Sequence, residues 1–435
     1  MKKIFLIAML SATIALVKAQ NFDKITTDLL IKHPEAAKPE IDKIVADPKS
    51  SKKPETWFYY GAVYAAIYAN PAVSATYPNS EVIADSALRN YINMDTSFAM
   101  LKEYQGGAQP LYDMYSTSFN HGITTFNAKK WDSACHYFSL AEYYSEYLFK
   151  RRLTQSTANF DTVATEYAGF AFQNNNQMDI AMKYYKILAA NKVSGSDFKD
   201  MYKNMLNYYS KNKDNAGFES TLALAKQLYP ADADTWNEYE IENMDANMSM
   251  DAIAAKYKHD DAAGKITSAS QYVGYAESFV SIPKDQLSSM DSAKQVDFRY
   301  LAADAYSKGF NLQNNGLYAF NAGVMYYNVY TTLDDRYYNL RGEAAGLKAQ
   351  RAVVEKQEFV LADSSVRWLT QAYNILKAKT DRTKSESNSL NHTVDFLANI
   401  YAWERDKNRG VNPANVDKYD ALFKQFDAEH DKYKQ

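Results

Sequence analysis

The chain of 435 residues contains a single cysteine, Cys135, so no disulfide can form within it. A protein of this size without a covalent staple holds together by packing alone. Chain breakers are also scarce, with 15 glycines and 10 prolines. That shortage excludes collagen-like, low-complexity and loop-dominated architectures. Neither charge sign is in excess, since 49 Lys and Arg face 52 Asp and Glu for a formal net charge of −3. The interleaved balance gives no attraction to nucleic acid or to an anionic membrane surface. The sequence also lacks H-E-x-x-H, a phosphate-binding glycine-rich loop and G-x-S-x-G, the signatures of zinc hydrolysis, nucleotide binding and serine esterases. The expectation is a protein that is not an enzyme, with no catalytic residues, metal or cofactor.

The one long apolar run is at the N-terminus. Lys2 and Lys3 precede an apolar stretch from Ile4 to Val17, and Val17-Lys18-Ala19 fits a small-residue cleavage site. Residues 1–19 therefore read as a signal peptide, leaving Gln20 first in the mature chain. The run is shorter than the ~20 residues that span a bilayer, and no cysteine follows it to carry a lipid. We expect export to the periplasm or beyond, with no stable membrane insertion after cleavage.

What the chain has in quantity is tyrosine (36) and phenylalanine (21), together with alanine, leucine and lysine. Few breakers and many helix formers point to helices joined by short turns, an all-α fold. Their arrangement emerges from internal spacing. Ala134 lies twelve residues after Gly122, Phe138 four further and Ala141 three further. Ala181, Tyr185 and Leu188 follow Gly169 at the same intervals. A third register has Leu206 in the glycine place, then Phe218, Leu222 and Ala225, with Pro230 five residues on. Steps of four and three keep side chains on one helix face. The anchor twelve residues earlier sits on a preceding helix, where a small residue allows close approach. Between them, "NAKKWD", "QNNNQMD" and "SKNKDNA" have the Asn and Asp content of tight turns. The unit is an antiparallel helical hairpin.

These residues resemble the tetratricopeptide repeat, whose pattern is W-x2-L-G-x2-Y, then A-x3-F, then a helix-ending proline over about 34 residues. Trp57, Tyr60, Gly61 and Tyr64 match its first half, and Ala87, Tyr91 and Met94 its second. Ala87 stands 26 residues after Gly61 instead of twelve, which makes "NPAVSATYPNSEVI" a 14-residue insertion at the turn. Ser118 and Thr165 take the tryptophan place and Leu206 the glycine place. The resemblance implies an α-solenoid, a superhelix of stacked hairpins. Within it Cys135 follows the repeat alanine on a second helix, where free cysteine packs as a small hydrophobe. Neighbouring helical residues diverge by about 100°, so His136 is not placed to activate it.

The remaining chain divides by the same criteria. Residues 20–53 read as an N-terminal helix and linker, and residues 54–235 as repeats. Over 236–315 "MDAIAAKY", "SASQYVGYAESF" and "VDFRYLAADAYSKGF" are helical but without a fixed register. The pattern returns over 316–435. Gly323 and Tyr326 fit a first helix, and Ser365, Leu369 and Ala372 a second, with about 30 helix-like residues inserted from Thr331 to Leu361. A final hairpin carries Leu397, Ala398 and Tyr401, and its Lys- and Asp-rich end suits a terminal cap. "HDDAAG", with His259, Asp260 and Asp261, reads as a solvated turn. "DADTWNEYEIEN" fails as a calcium loop because Trp236 takes a ligand place and Asn243 replaces the terminal glutamate.

Carried over from the family, the inner-groove positions are Phe119, Ile123, Phe126 and Asn127 in one repeat. Glu166, Phe170, Gln173 and Asn174 follow in the next, and Lys203, Asn207, Ser210 and Lys211 in the one after. Lys203 and Asn207 look like the opening of a carboxylate clamp, but the matching asparagine place holds Glu238. The resemblance implies a non-enzymatic scaffold that offers a concave groove to a peptide or helix of another protein. The alternative is a glycan- or solute-binding helical protein that uses exposed tyrosine and tryptophan as stacking platforms. Mass spectrometry of the mature protein is expected to find Gln20, free or cyclised, at its N-terminus. Recovery of intact Met1 from the soluble fraction would contradict export.

Overall fold

The computed structural model describes residues 22–103 and 106–433. Residues 1–19, read above as a signal peptide, lie outside the described residues. Among those described the chain is all-α, with no strand, and no helix is long and apolar enough to cross a membrane. By its internal contacts it separates into two compact units, one running to Tyr208 and the other from Tyr209.

In the first unit a helix over residues 22–30 (α1) leads into α2 (Pro34–Ala46), α3 (Pro54–Ala69), α4 (Pro71–Ser74), α5 (Ser80–Met94) and α6 (Ala99–Glu103). Then come α7 (Gln109–Asn127), α8 (Trp131–Lys150), α9 (Thr162–Asn174), α10 (Met178–Ala190) and α11 (Lys199–Lys211), whose last three residues belong to the second unit. The few prolines mark helix starts, with Pro34, Pro54, Pro71 and Pro110 all in first turns, where the missing N–H costs nothing. Helices pack on their chain neighbours, α7 on α8, α8 on α9 and α9 on α10.

The glycine spacing has a direct physical cause. A Cβ on Gly122 would lie 2.6 Å from Phe138 Cε1, and one on Gly169 would lie 2.4 Å from Tyr185 Cε1. In both hairpins the aromatic ring of the second helix occupies the space that the glycine vacates. The close approach is therefore ring on backbone. The turns repeat as well. Lys129 and Asn176, each seven residues after its glycine, have φ of 57°. Lys130 N–H donates to Thr125 O and Gln177 N–H to Phe172 O, closing the same six-residue helix end. In the second unit Lys213, seven residues after Leu206, has φ of 56°, and Asp214 N–H donates to Tyr209 O.

Two readings of the sequence change here. The first hairpin is registered three residues earlier than its pattern indicates, because a Cβ on Gly61 would meet Leu88 at 2.6 Å. Ala84, Leu88 and Tyr91 are fully buried, while Met94 is 41% exposed. The second-half triplet is thus Ala84, Leu88 and Tyr91, which shortens the insertion from fourteen residues to eleven. Residues 20–53, read as one helix and a linker, hold two helices where they are described, with only 47–53 left as a connection to α3. α2 packs on α3, and Ile25, Ala37 and Ile41 are buried in the same core as Phe58 and Val63. The stretch 331–361, read as a helix-like insertion, lengthens both helices of its hairpin, α18 and α19 below.

The second unit contains α12 (Asn215–Leu228), α13 (Ala233–Asn247), α14 (Met250–Ala262), α15 (Ala269–Val280), α16 (Lys284–Ser289) and α17 (Ser292–Leu312). It continues through α18 (Gly316–Asn339), α19 (Ala345–Ala378), α20 (Lys384–Asn408) and α21 (Pro413–Asp427). The three stretches read as helices without a register are α14, α15 and α17. Their register is set by contacts of α15, where Gly274 lies against Ile241 of α13 and Val273 against Gly309 of α17. The α18–α19 pair keeps the repeat pattern. Gly323 meets Leu369, and buried Ser365 donates its hydroxyl to Gly323 O at 2.9 Å. Gly316, seven residues before Gly323, meets Leu376, seven residues after Leu369, as an antiparallel pair requires.

Alanine favours a helix over glycine by about 1 kcal/mol, whereas forcing a methyl into a filled site costs about 1–3 kcal/mol. Tyr185 is fully buried and its hydroxyl is held by Gln173 at 2.6 Å, so the ring has little room to yield. Gly169→Ala is expected to lower the melting temperature by several degrees. Gly346→Ala, with nothing within 4 Å of the new Cβ, is expected to leave it unchanged or slightly raised. Thermal unfolding of both variants checks this, and equal behaviour would contradict it.

Candidate partner-binding face

The family-derived groove positions lie on α7, α9 and α11, and they separate by burial. Phe119, Ile123 and Phe126 are half-buried in the aromatic cluster that joins α7, α8 and α9. The rings of Phe119 and Phe126 lie 5.9 and 5.7 Å from Tyr167, and 5.7 and 6.1 Å from Phe138. Phe170 packs on Tyr185 with 5.9 Å between centroids. Gln173 accepts the Tyr185 hydroxyl, which makes it a support for the ring seated on Gly169. These side chains serve packing at least in part. Asn127, Asn174 and Asn207 are exposed, the Asn174 amide donating to Phe170 O at 2.8 Å. Lys203 pairs with Asp200 at 2.9 Å. In the second unit Ser210 is half-buried and accepts from Asn247 at 3.0 Å, while Lys211 and Glu238 are exposed.

Glu166 differs from the rest. It is buried to 6% exposure, and its Oε1 has no hydrogen-bond partner. Burial first, and then the negative charge of Asp197, push its carboxyl up to about 7.

Cys135 is also buried, at 6% exposure. Burial, followed by the charge of Asp132, raises its thiol to about 11, which suppresses the thiolate a nucleophile needs. His136 is exposed, with Nε2 2.6 Å from Glu81 on α5. The pair forms no reactive centre, as helical geometry dictates.

Two other sequence candidates resolve differently. "HDDAAG" is not a solvated turn. Asp260 is buried and accepts from Lys256, from Tyr275 at 3.2 Å and from His259 at 3.0 Å. Asp261 accepts from Tyr272 at 2.8 Å and Lys308 at 2.7 Å, joining α14 to α15 and α17. Residues from Ala233 onward in "DADTWNEYEIEN" are helical. No group of three or more His, Cys, Asp or Glu among the described residues is arranged to hold a metal ion. The stacking-platform premise meets a correction as well. Trp236 and Trp368 are buried, Trp57, Trp131 and Trp403 are half-buried, and the only exposed aromatics among the described residues are Tyr300 and Tyr338.

Sequence reasoning missed a chain of ion pairs. Lys226 lies 2.7 Å from Glu240, Glu240 lies 3.3 Å from Lys256, and Lys256 bonds to Asp260. Only the Lys256–Asp260 step has the i,i+4 spacing that a sequence can display. No protein-family model matches this chain, and no curated protein sequence matches it.

The Glu166 carboxyl yields a pH prediction. An acid whose pKa is raised on folding binds its proton more tightly when folded, so it favours folding below its unfolded value of about 4.3. That contribution is lost as pH rises through about 7, an effect of at most about 4 kcal/mol. Glu166→Gln keeps the shape and removes the charge. It is expected to match the wild type near pH 4 and to melt at a higher temperature near pH 8. Melting curves across that range check this, and identical profiles for the two proteins would contradict it.

Proposed function

We propose that this protein is a non-catalytic scaffold of the bacterial envelope, an α-solenoid of tetratricopeptide-like hairpins that holds a peptide or helix of another protein. The observation that carries the reading is the recurrence of one hairpin design. In α7–α8 and α9–α10 a glycine is covered by a ring sixteen residues on, and a left-handed residue stands seven after the glycine. The same register leaves Asn127 and Asn174 exposed at matching places on the two first helices. Recurrent faces of this kind suit an extended partner, whose backbone offers donors and acceptors at regular intervals. Asparagine supplies both kinds of group. Hairpins locked by buried rings stay in their bound shape without a partner, which reduces the ordering cost of association. Envelope location rests on the signal-peptide reading of residues 1–19.

Selection from a displayed library of random peptides tests the proposal. A selected peptide is expected to lose about tenfold or more in affinity for the Asn127→Ala/Asn174→Ala protein, as removal of hydrogen-bonding partners dictates. The melting temperature should stay unchanged. Failure to select any peptide, or a selected peptide indifferent to the double substitution, would overturn this assignment.

A further inference from the structure

The most concentrated set of converging polar groups lies in the second unit. α12, α13, α14 and α15 enclose a half-open cleft of about 540 Å3. Lys226, Glu240, Lys256 and Asp260 run along it as a continuous chain of ion pairs, and Lys265 stands 3.7 Å from Asp260 at the far end. The deepest members are built in. Asp260 and Asn237 are 7% and 6% exposed, and the Asn237 amide donates to Ser268 and Ser270 at 3.3 and 3.4 Å. Burial pushes the Asp260 carboxyl up, but the bonds from Lys256 and His259 outweigh it and hold it at about 2. It is therefore ionised throughout the physiological range. Leu222, Ile241 and Ile266 add an apolar strip to the lining.

Two features define what such a cleft accepts. Each carboxylate of the chain already faces ammonium groups on both sides. A charged ligand would have to displace one of those partners and lose its own hydration, so a net charge brings no advantage. A neutral ligand leaves the pairs intact and uses what they leave over. An ammonium has three donors and a carboxylate about four acceptor positions, and Lys226, Glu240 and Lys265 spend only some of theirs in the pairs above. Fixed donors and acceptors thus alternate along one side, with hydrocarbon beside them. The complement is a neutral molecule whose vicinal hydroxyls donate and accept in turn and whose C–H face is apolar. The volume lies in the range of small-molecule sites, about 300–1,000 Å3.

We propose that this cleft is a saccharide-binding site, taking a neutral mono- or disaccharide unit, free or as part of a longer glycan. It is distinct from the peptide-holding face on the first unit and does not depend on stacking by exposed aromatics. Titration calorimetry with maltose, lactose, cellobiose and chitobiose as neutral probes tests it, with glucuronate and glucosamine as charged counterparts. At least one neutral disaccharide should bind at millimolar concentration or below, more tightly than either charged sugar and with little dependence on salt. Glu240→Gln is expected to weaken that binding by about tenfold, as loss of a charge-assisted hydrogen bond dictates. Lys265→Ala changes a side chain that is 61% exposed, and should weaken binding less while leaving the melting temperature unchanged. The proposal is overturned if no neutral probe binds, if a charged sugar binds best, or if neither substitution alters the affinity.

Discussion

The hairpins α7–α8 and α9–α10 depend on one contact geometry, a buried aromatic ring seated on a glycine. Phe138 of α8 covers Gly122 of α7 and also stacks on Tyr167 of α9 at 5.3 Å. The ring thus closes its own hairpin and holds the first helix of the next. Tyr185 on Gly169 repeats the closure, with its hydroxyl tied to Gln173. A ring that fills the space over a backbone leaves no void, and interiors packed to that density tolerate neither a lost nor an added methyl. From this contact follow the spacing of sixteen residues and the turn that must fit inside it. The positions left facing solvent, Asn127 and Asn174, follow as well.

The second unit adds to its hydrophobic core a set of charges held by hydroxyl and ammonium groups. Tyr257 donates to Asp304 at 2.5 Å, and Lys308 reaches both Asp304 and Asp261 at 2.7 Å. Together with the chain from Lys226 to Asp260, these bonds tie α12, α13, α14 and α17. Buried ionic groups stabilise little unless every member has a partner, and then they fix one arrangement. That constraint also preorganises the cleft, because the groups facing a ligand are the ones that position the helices.

How much of this was legible depended on sequence distance. Gly122 with Phe138 and Gly169 with Tyr185 were readable because a tight turn keeps their separation constant. Ser365 and Leu369 opposite Gly323 were readable despite the long gap, because the pattern on each helix was unambiguous. The first hairpin was misread because Ala84 and Ala87 are both buried on one face, and an insertion removed the fixed distance that would have chosen between them. The groove positions were only partly informative. A family register says which way a residue points, but a phenylalanine there, such as Phe119 or Phe126, is long enough to bend into the packing between hairpins. Asp260 and Asp261 looked like a solvated turn because their partners Tyr275, Tyr272 and Lys308 are remote in sequence. The ion-pair chain was hidden for the same reason.

The account rests on the ring and the glycine acting as one unit, which a double-mutant cycle on Gly122→Ala and Phe138→Leu measures directly. Each substitution alone is expected to destabilise the protein, the first by crowding the ring and the second by removing it. Once the ring is gone, the methyl at residue 122 has space, so the pair should cost less than the two parts together. The predicted coupling is about 1 kcal/mol or more, within the range found for residues in contact. Strict additivity of the two effects would mean that ring and glycine do not constrain each other, and would contradict the account.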